Sequence, residues 1–509
     1  MGLLSAGLGR QIGVLIAREG YITHVIVGDA KGIFIPSLDD QPLGRKPLRG
    51  LRLIHTHLKN EPLSDDDITD LALLRLDFIA SVSLLDGGML MVRGAHLLPG
   101  DSGKTVETIG PLEVHRLSLD FKDFTNSLEK EIERKRLFEQ SDKRERALLI
   151  SATRLPRHEA EDSMEELKEL ALSSDLIALG TVIQRLKEIN PKYLMGEGKL
   201  KGVIIDALNK GATILVFDQD LSPSQIRAIS ELTELKVIDR SQLILDIFAR
   251  RAHSRDGKVQ VELAQLRYRL PRLTGKGTAM SRLMGGIGGR GPGEMKLEVD
   301  RRRVRDRIHL LERELKALSE ARRQRKQRRV EKGMPIVSIV GYTNAGKSTL
   351  LNALTRSGTF VEDKMFATLD TASRRLRFPR EREVIITDTV GFIKDLPEDL
   401  VSAFKSTLEE LKDADLLLHI VDASNPRFPR HMESVERILG ELGLSEKPSL
   451  LVFNKADKLS EEEAENLSRR YSAVSISALN PSTFGPLLRT VEGRLWGVMA
   501  PEKSSRIGL

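Results

Sequence analysis

Residues 336–348, Ile-Val-Ser-Ile-Val-Gly-Tyr-Thr-Asn-Ala-Gly-Lys-Ser, decide the fold. The apolar run 336–340 suits a short buried strand and is too short for a helix. Gly341-x-x-x-x-Gly346-Lys347-Ser348 follows at once, then the helix-prone STLLNALT at 348–355. A strand, a glycine-rich turn and a helix start in that order wrap backbone N–H groups around phosphate, and the helix N-terminus adds partial positive charge. Gly341, Tyr342, Thr343, Asn344, Ala345 and Gly346, with Thr349 behind them, are expected to form the cradle. Lys347 is expected to reach the β- and γ-phosphates, and the Ser348 hydroxyl to bind Mg²⁺.

Further along, Asp388-Thr389-Val390-Gly391 closes the apolar run EVIITD. Asp388 there would hold Mg²⁺ through water, and the Gly391 N–H would sense the γ-phosphate. Asn454-Lys455-Ala456-Asp457 follows the run SLLVF. A carboxylate at Asp457 accepts two hydrogen bonds from the N1–H and N2–H₂ edge of guanine, a donor pair that adenine lacks. Asn454 is expected to fix the base and its loop, the Lys455 stem to lie along the base plane, and the Ser477-Ala478-Leu479 backbone to meet the guanine O6. The second protein ligand to Mg²⁺ must come from the loop before Asp388, where Thr368, in Phe366-Ala367-Thr368, is chosen. Lys347, Thr368 and Gly391 are thus the catalytic candidates. Ras-type enzymes carry a water-orienting glutamine directly after the last glycine of the second motif. Here that position is Phe392, so slow intrinsic hydrolysis and an external water-positioning group are expected. Asn344 reads equally as a turn asparagine or as a ligand for a K⁺ ion that assists hydrolysis.

At 509 residues, 40% hydrophobic and 30% charged, the chain should fold as about three or four soluble domains. It has no run of about 18 apolar residues and no signal-peptide pattern, so no membrane span is expected and a cytoplasmic address is. Without cysteine it has no disulfide, zinc–thiolate or Fe–S chemistry. The net charge is +7, yet residues 301–332 hold fourteen Lys/Arg against five Asp/Glu, so one segment supplies the whole excess. At that density a nucleic-acid footprint is favoured over a solvated helix face.

The expected organisation is α/β and multidomain: a doubly wound GTPase sheet preceded by a small parallel α/β domain and a long helical hairpin. Residues 1–147 form an α/β extension with strand-like runs at 13–17, 22–28, 32–36, 51–55, 81–85 and 89–93 and a helix at 66–77. Residues 148–255 alternate strand and helix. Residues 256–333 carry Val259, Leu263, Leu266 and Leu270, then Val304, Ile308, Leu311, Leu315 and Leu318, the seam of two packed helices. Between them, residues 285–293 contain six glycines and predict an irregular tip. The nucleotide domain is 334–498 and the tail 499–509.

GYTNAGKSTL, MFATLD, DTVGFIKDLP, LVSAFKSTLEE and FNKAD together resemble the HflX family of ribosome-associated GTPases. The resemblance extends upstream through YLMGEGKLKG, VFDQDLSPSQIRAI, VIDRSQLILDIFARRA, VELAQLRYRL and GGIGGRGPGEMKLEVDRR, covering about 150–498. Asp370-Thr371-Ala372 departs from the family's usual Asp-Pro-Thr. The resemblance implies binding of GTP and GDP, ribosome-stimulated hydrolysis, and association with the 50S subunit and its rRNA; a monomer is expected. It also implies splitting of stalled or stress-inactivated ribosomes, with Gly288, Arg290 and Gly291 at the hairpin tip near the peptidyl-transferase region. For the upstream domain it implies ATP binding and RNA unwinding. There Gly196-Glu197-Gly198-Lys199 reads either as a second nucleotide loop or as a structural turn before a helix, and an ATP-dependent remodelling enzyme is the alternative function.

The N-terminal extension resembles the JAMM/MPN metalloproteases in His55-Thr56-His57 followed by Ser64 and Asp67. The resemblance implies zinc on His55, His57 and Asp67 with Glu19 as a base, and hence a metal-dependent hydrolase fused to a GTPase. The spacing from His57 to Ser64 is one residue short of that pattern, and Leu58 stands where it has proline. The other reading is a pair of strand-end histidines in a capped turn.

Overall fold

The computed structural model describes all residues except 37, 39–40, 42–46, 86, 99–105, 140–143, 234, 274–291, 331–333, 356–364, 366–372, 379–381, 389–390, 394–408 and 498–509. The chain divides into two compact units, residues 1–168 with 175–239, and residues 169–174 with 240–509.

The first unit contains two sheets. The N-terminal one has the order β2-β1-β3-β4-β5-β6, built from β1 Ile12–Ala17, β2 Ile22–Val27, β3 Leu51–His57, β4 Phe78–Leu84, β5 Leu90–Leu97 and β6 Val106–Glu113. Its neighbours pair antiparallel except β3 and β4, which run parallel and need the crossover helix α2, Asp65–Leu73. Leu15, Leu51, Leu53, Leu71, Leu76 and Ile79 close the core beneath that crossover.

Two segments of this sheet depart from the sequence expectation. Residues 32–36 form no strand: the Asp29 carboxylate accepts from the Lys31 and Gly32 amides in a tight turn, and Ile33 and Ile35 pack onto the core without joining the ladder. Conversely β6 is a strand that its sequence conceals. Gly110-Pro111 interrupts its pattern, and the proline is tolerated because β6 lies at the sheet edge.

The second sheet of this unit is wholly parallel, in the order β10-β9-β7-β8, from β7 Arg146–Thr153, β8 Ile177–Arg185, β9 Ile214–Phe217 and β10 Lys236–Asp239. Leu148, Leu149 and Ile150 of β7 are fully buried, as a strand covered on both faces requires. Helices α4 Arg157–Ser173, α5 Glu197–Asn209 and α6 Pro223–Leu232 connect the strands, while α1 Gly2–Leu8 and α3 Phe121–Glu139 precede and follow the strands of the N-terminal sheet in the chain.

In the second unit, α7 Arg240–Arg251 leads into α8 Arg255–Arg269, which packs along α9 Pro292–Val330. Val259 and Leu263 interlock with Ile308 and Leu311, and Leu266, Leu270, Val304, Leu315 and Leu318 extend the seam. Arg307 forms a bidentate pair with Glu262, and Arg267 and Arg255 reach Glu312 and Glu314. The expected tip residues Gly288, Arg290 and Gly291 lie outside the described residues.

The nucleotide-domain sheet has the order β12-β13-β11-β14-β15-β16, from β11 Ile336–Gly341, β12 Ser373–Arg377, β13 Glu383–Asp388, β14 Leu416–Asp422, β15 Ser449–Asn454 and β16 Val474–Ser475. Only β12 runs antiparallel. Strand order reverses at β11, so the C-terminal ends of β11, β13 and β14 open a crevice of the kind that holds ligands in such sheets.

Truncating Leu311→Ala should cost about 2–5 kcal/mol, because the side chain is fully buried in the seam. Arg307→Ala should cost no more than about 1 kcal/mol, since its ion pair is exposed. Urea unfolding of both variants checks the contrast.

Candidate functional site

Two glycines set the shape of the phosphate cradle. Gly341 ends β11 with φ +152°, and a Cβ there would lie 2.3 Å from the Ile420 carbonyl oxygen. Gly346 has φ +87°, and a Cβ there would lie 2.2 Å from the Asn454 amide nitrogen. Neither position tolerates a side chain. Asn344 between them is exposed on left-handed backbone with φ +61°. Helix α10, Lys347–Thr355, starts directly from the cradle.

Lys347 is buried, and its Nζ donates to the Tyr342 carbonyl at 2.7 Å across the loop. Burial pushes its ammonium down to about 8, with the Asp388 charge pulling the other way. His419 on β14 stays neutral, pushed down to about 4 by burial and secondarily by Lys347. The Ser348 hydroxyl donates to Asp388 Oδ2 at 2.8 Å, so the two expected Mg²⁺ residues already stand together, one in the first turn of α10 and the other at the end of β13.

Asn454 is the hub of the base side. Its buried amide donates to the Ala345 carbonyl at 2.8 Å and accepts from the Ala478 N–H at 2.8 Å. Three sequence-distant loops therefore share one side chain. Lys455 has φ +60° and pairs with Asp422 at 2.7 Å. Asp457 stands exposed in a short 3₁₀ turn, Ala456–Lys458, with its carboxylate at the surface. Ser477 is buried, with its N–H held by Thr483, and Leu479 is exposed.

Two contacts brace the cradle from outside the motif residues. The Phe392 ring is buried, and its backbone locks the cradle: Thr343 N–H donates to the Phe392 carbonyl at 2.8 Å, and Phe392 N–H to the Gly341 carbonyl at 3.1 Å. The Tyr342 ring stacks on His431 of helix α11, Phe428–Glu441, at 4.0 Å between centroids. Neither has a short-motif signature. Gly391 is brought beside Lys347: a Cβ on it would lie 3.0 Å from Nζ. Phe366, Ala367, Thr368, Thr389 and Val390 lie outside the described residues.

In the N-terminal sheet, His55, His57 and Asp67 converge, their ligand atoms all within 4.8 Å of one another. Burial works against the Asp67 charge, but hydrogen bonds from His55 and His57 outweigh it and hold the carboxyl well below its usual range. Glu19 does not join them. His55 pairs with Gly13, whereas Glu19 lies beyond Ala17, more than about 13 Å away along β1, so it cannot act as the expected base. Gly196 has φ −60° and caps α5, and Glu197 pairs with Lys201. Gly196–Lys199 thus forms a helix start with no left-handed glycine to curl around phosphate.

Residues 161–249, 251–329 and 336–455 match, in turn, family models described as a GTP-binding GTPase N-terminal region, a GTP-binding GTPase middle region and a 50S ribosome-binding GTPase. The GTPase HflX of Caldanaerobacter subterraneus subsp. tengcongensis is 48% identical over 353 residues, covering 69% of this chain and 81% of that protein. The GTPase HflX of Escherichia coli is 41% identical over 367 residues, covering 72% and 86%. This chain belongs to the HflX GTPase family. A GTP-binding protein from Sulfolobus solfataricus, solved in complex with GDP, is also similar at 26% identity, covering 69% of this chain and 98% of that one with a TM-score of 0.38. Among the described residues of this HflX-family chain no helix is long and apolar enough to cross a membrane.

A bound polyphosphate restores the charged form of Lys347. Between about pH 8 and the ordinary lysine value of 10.5, nucleotide binding should therefore take up a proton, and affinity should fall by up to about tenfold per pH unit. Calorimetry of GDP binding in buffers of different ionisation heat, from about pH 7.5 to 9, checks this; proton release on binding is the contrary result.

Proposed function

We propose that this HflX-family GTPase binds the 50S ribosomal subunit in its GTP form and uses hydrolysis to reset itself after splitting stalled or stress-inactivated ribosomes. The observation that carries the ribosomal half is the long helix α9. Its seam with α8 holds it rigid, while Arg302, Arg303 and Arg305 remain exposed on its outer surface. Such a stripe neutralises rRNA phosphates without reading sequence. The description of the matching model, a 50S ribosome-binding GTPase, supports the same partner. Gly288, Arg290 and Gly291 would then approach rRNA at the tip of the hairpin.

The nucleotide half rests on residue chemistry. The juxtaposed Ser348 hydroxyl and Asp388 carboxylate suit a hard cation, so Mg²⁺ fits there, with Thr368 as the further ligand. A Mg²⁺ ion held by Ser348 and Asp388 would supply positive charge against the nucleotide's phosphates. Lys347 neutralises the phosphates from the opposite side, and the Gly391 N–H registers the γ-phosphate. Asp457 selects guanine, and Asn344 is available to a K⁺ ion beside the phosphates. The buried Phe392 ring cannot orient the attacking water, which accounts for dependence on a group supplied outside the cradle.

Asp457→Asn should exchange guanine for xanthine specificity, because an amide donor faces the xanthine O2 where the carboxylate faced N2–H₂. Competition of GTP against XTP measures it, and unchanged GTP preference contradicts the role. Arg302→Glu with Arg305→Glu should abolish co-sedimentation with 50S particles in the presence of a non-hydrolysable GTP analogue and leave GDP binding intact. Co-sedimentation that ignores both the nucleotide and these charges would refute the proposed partner.

A further inference from the structure

The N-terminal sheet carries a second constellation that the nucleotide chemistry does not use. His55 and His57 lie two residues apart at the end of β3, so both rings project from one face of the strand. The chain then turns back through residues 58–63. Ser83 Oγ donates to the Lys59 carbonyl at 3.2 Å, and Arg93 donates to the Asn60 side chain at 2.7 Å. Helix α2 therefore begins directly over the two rings. Ser64 is its N-cap, and the N3 residue Asp67 closes a capping box, with one carboxylate oxygen accepting from the Ser64 N–H at 2.7 Å and the Ser64 hydroxyl at 2.8 Å.

The three side chains form a triangle. His55 Nε2 is 2.9 Å from His57 Nε2 and 3.1 Å from Asp67 Oδ1, and His57 Nε2 is 3.4 Å from Asp67 Oδ2. Protons alone cannot satisfy it while the rings are neutral and the Asp67 carboxyl is ionised. If both Nε2 atoms carry hydrogen and donate to Asp67, two donors face each other across the short edge. If one Nε2 gives up its hydrogen to accept from the other, its lone pair faces the carboxylate. A cation above the triangle satisfies all three edges at once. Ligand atoms about 2.0–2.1 Å from a tetrahedral zinc stand about 3.3 Å apart, close to the edges observed.

The surroundings point the same way. His55 is fully buried and His57 nearly so. Ligation through Nε2 leaves the proton on Nδ1. His57 Nδ1 faces the Glu61 carbonyl at 3.4 Å. His55 Nδ1 and Ser81 Oγ are both buried and without a hydrogen-bond partner, and the two residues are register partners on adjacent parallel strands. A Ser81 hydroxyl turned toward that Nδ1–H would supply the supporting acceptor that metal-bound imidazoles commonly have. Among the described residues no other His, Asp or Glu completes the group.

We infer that His55, His57 and Asp67 form a tetrahedral divalent-metal site of the zinc type, with three protein ligands and a fourth position open to water on the partly exposed Asp67 side. With Glu19 at the other end of β1, the site lacks that residue as a general base, and metal binding is the property assigned to it. The inference stands apart from the nucleotide and ribosome readings.

The test uses the full-length chain, stripped with chelator and titrated with Zn²⁺ alone. One equivalent per chain is expected, and Co²⁺ in its place should show the visible bands of four-coordinate cobalt. Asp67→Asn should weaken uptake at least about 100-fold, and Ser64→Ala, which removes the hydroxyl bond to the carboxylate together with the N-cap bond to the Asp67 N–H, about 10–100-fold. GDP binding, which reads the other compact unit, should be unchanged in both variants, and an unchanged far-ultraviolet circular dichroism spectrum confirms that the N-terminal sheet is folded. Zinc uptake well below one equivalent in the native chain, six-coordinate cobalt bands, or full uptake by Asp67→Asn would each overturn the inference.

Discussion

The side-chain amide of Asn454 is the constraint on which the nucleotide site depends. One buried group donates to the cradle at Ala345 and accepts from the loop at Ala478, while its own backbone begins the turn that presents Asp457. Gly346 must be glycine because that amide occupies the space of a Cβ. Leaving the Ala345 carbonyl and the Ala478 N–H unpaired in the interior would cost about 1–3 kcal/mol each. The glycine-rich loop and the loops at Asn454 and Ala478 are therefore mechanically joined through one side chain. The buried Phe392 backbone does the equivalent on the metal side, fastening Thr343 and Gly341 to the segment that carries Gly391.

Much of this was legible because phosphate and guanine chemistry need fixed residue types at fixed spacing. Gly341, Gly346, Lys347, Ser348, Asp388, Asn454 and Asp457 were all placed from sequence, and the structure brings them to the same end of one sheet. The hairpin seam was equally legible, since the periodicity of Val259, Leu263, Ile308 and Leu311 is the packing itself. What escaped is what spacing does not encode. The double role of the Asn454 amide depends on three loops meeting, and the stack of Tyr342 on His431 joins residues 89 positions apart.

The missed elements have local causes. Strand β12 reads Ser-Arg-Arg-Leu-Arg, with one apolar residue, and survives because it pairs along a single edge. Residues 32–36 have strand composition but are captured by the Asp29 turn. Composition proposes a strand; available pairing partners decide it. The same holds for the N-terminal His–His–Asp cluster. The two histidines and the aspartate were visible as a pattern, but only the parallel pairing of β3 with β4 and the return through α2 set them in one triangle, and only the register of β1 shows Glu19 to be remote.

The most direct measurement is calorimetry of GDP, ADP and inorganic pyrophosphate binding to the intact chain and to Asn454→Ala. The native chain should bind GDP and reject ADP, and the variant should lose affinity for both GDP and pyrophosphate, because one amide supports both halves of the site. ADP bound as tightly as GDP by the native chain, or pyrophosphate bound equally well by the variant, would contradict it.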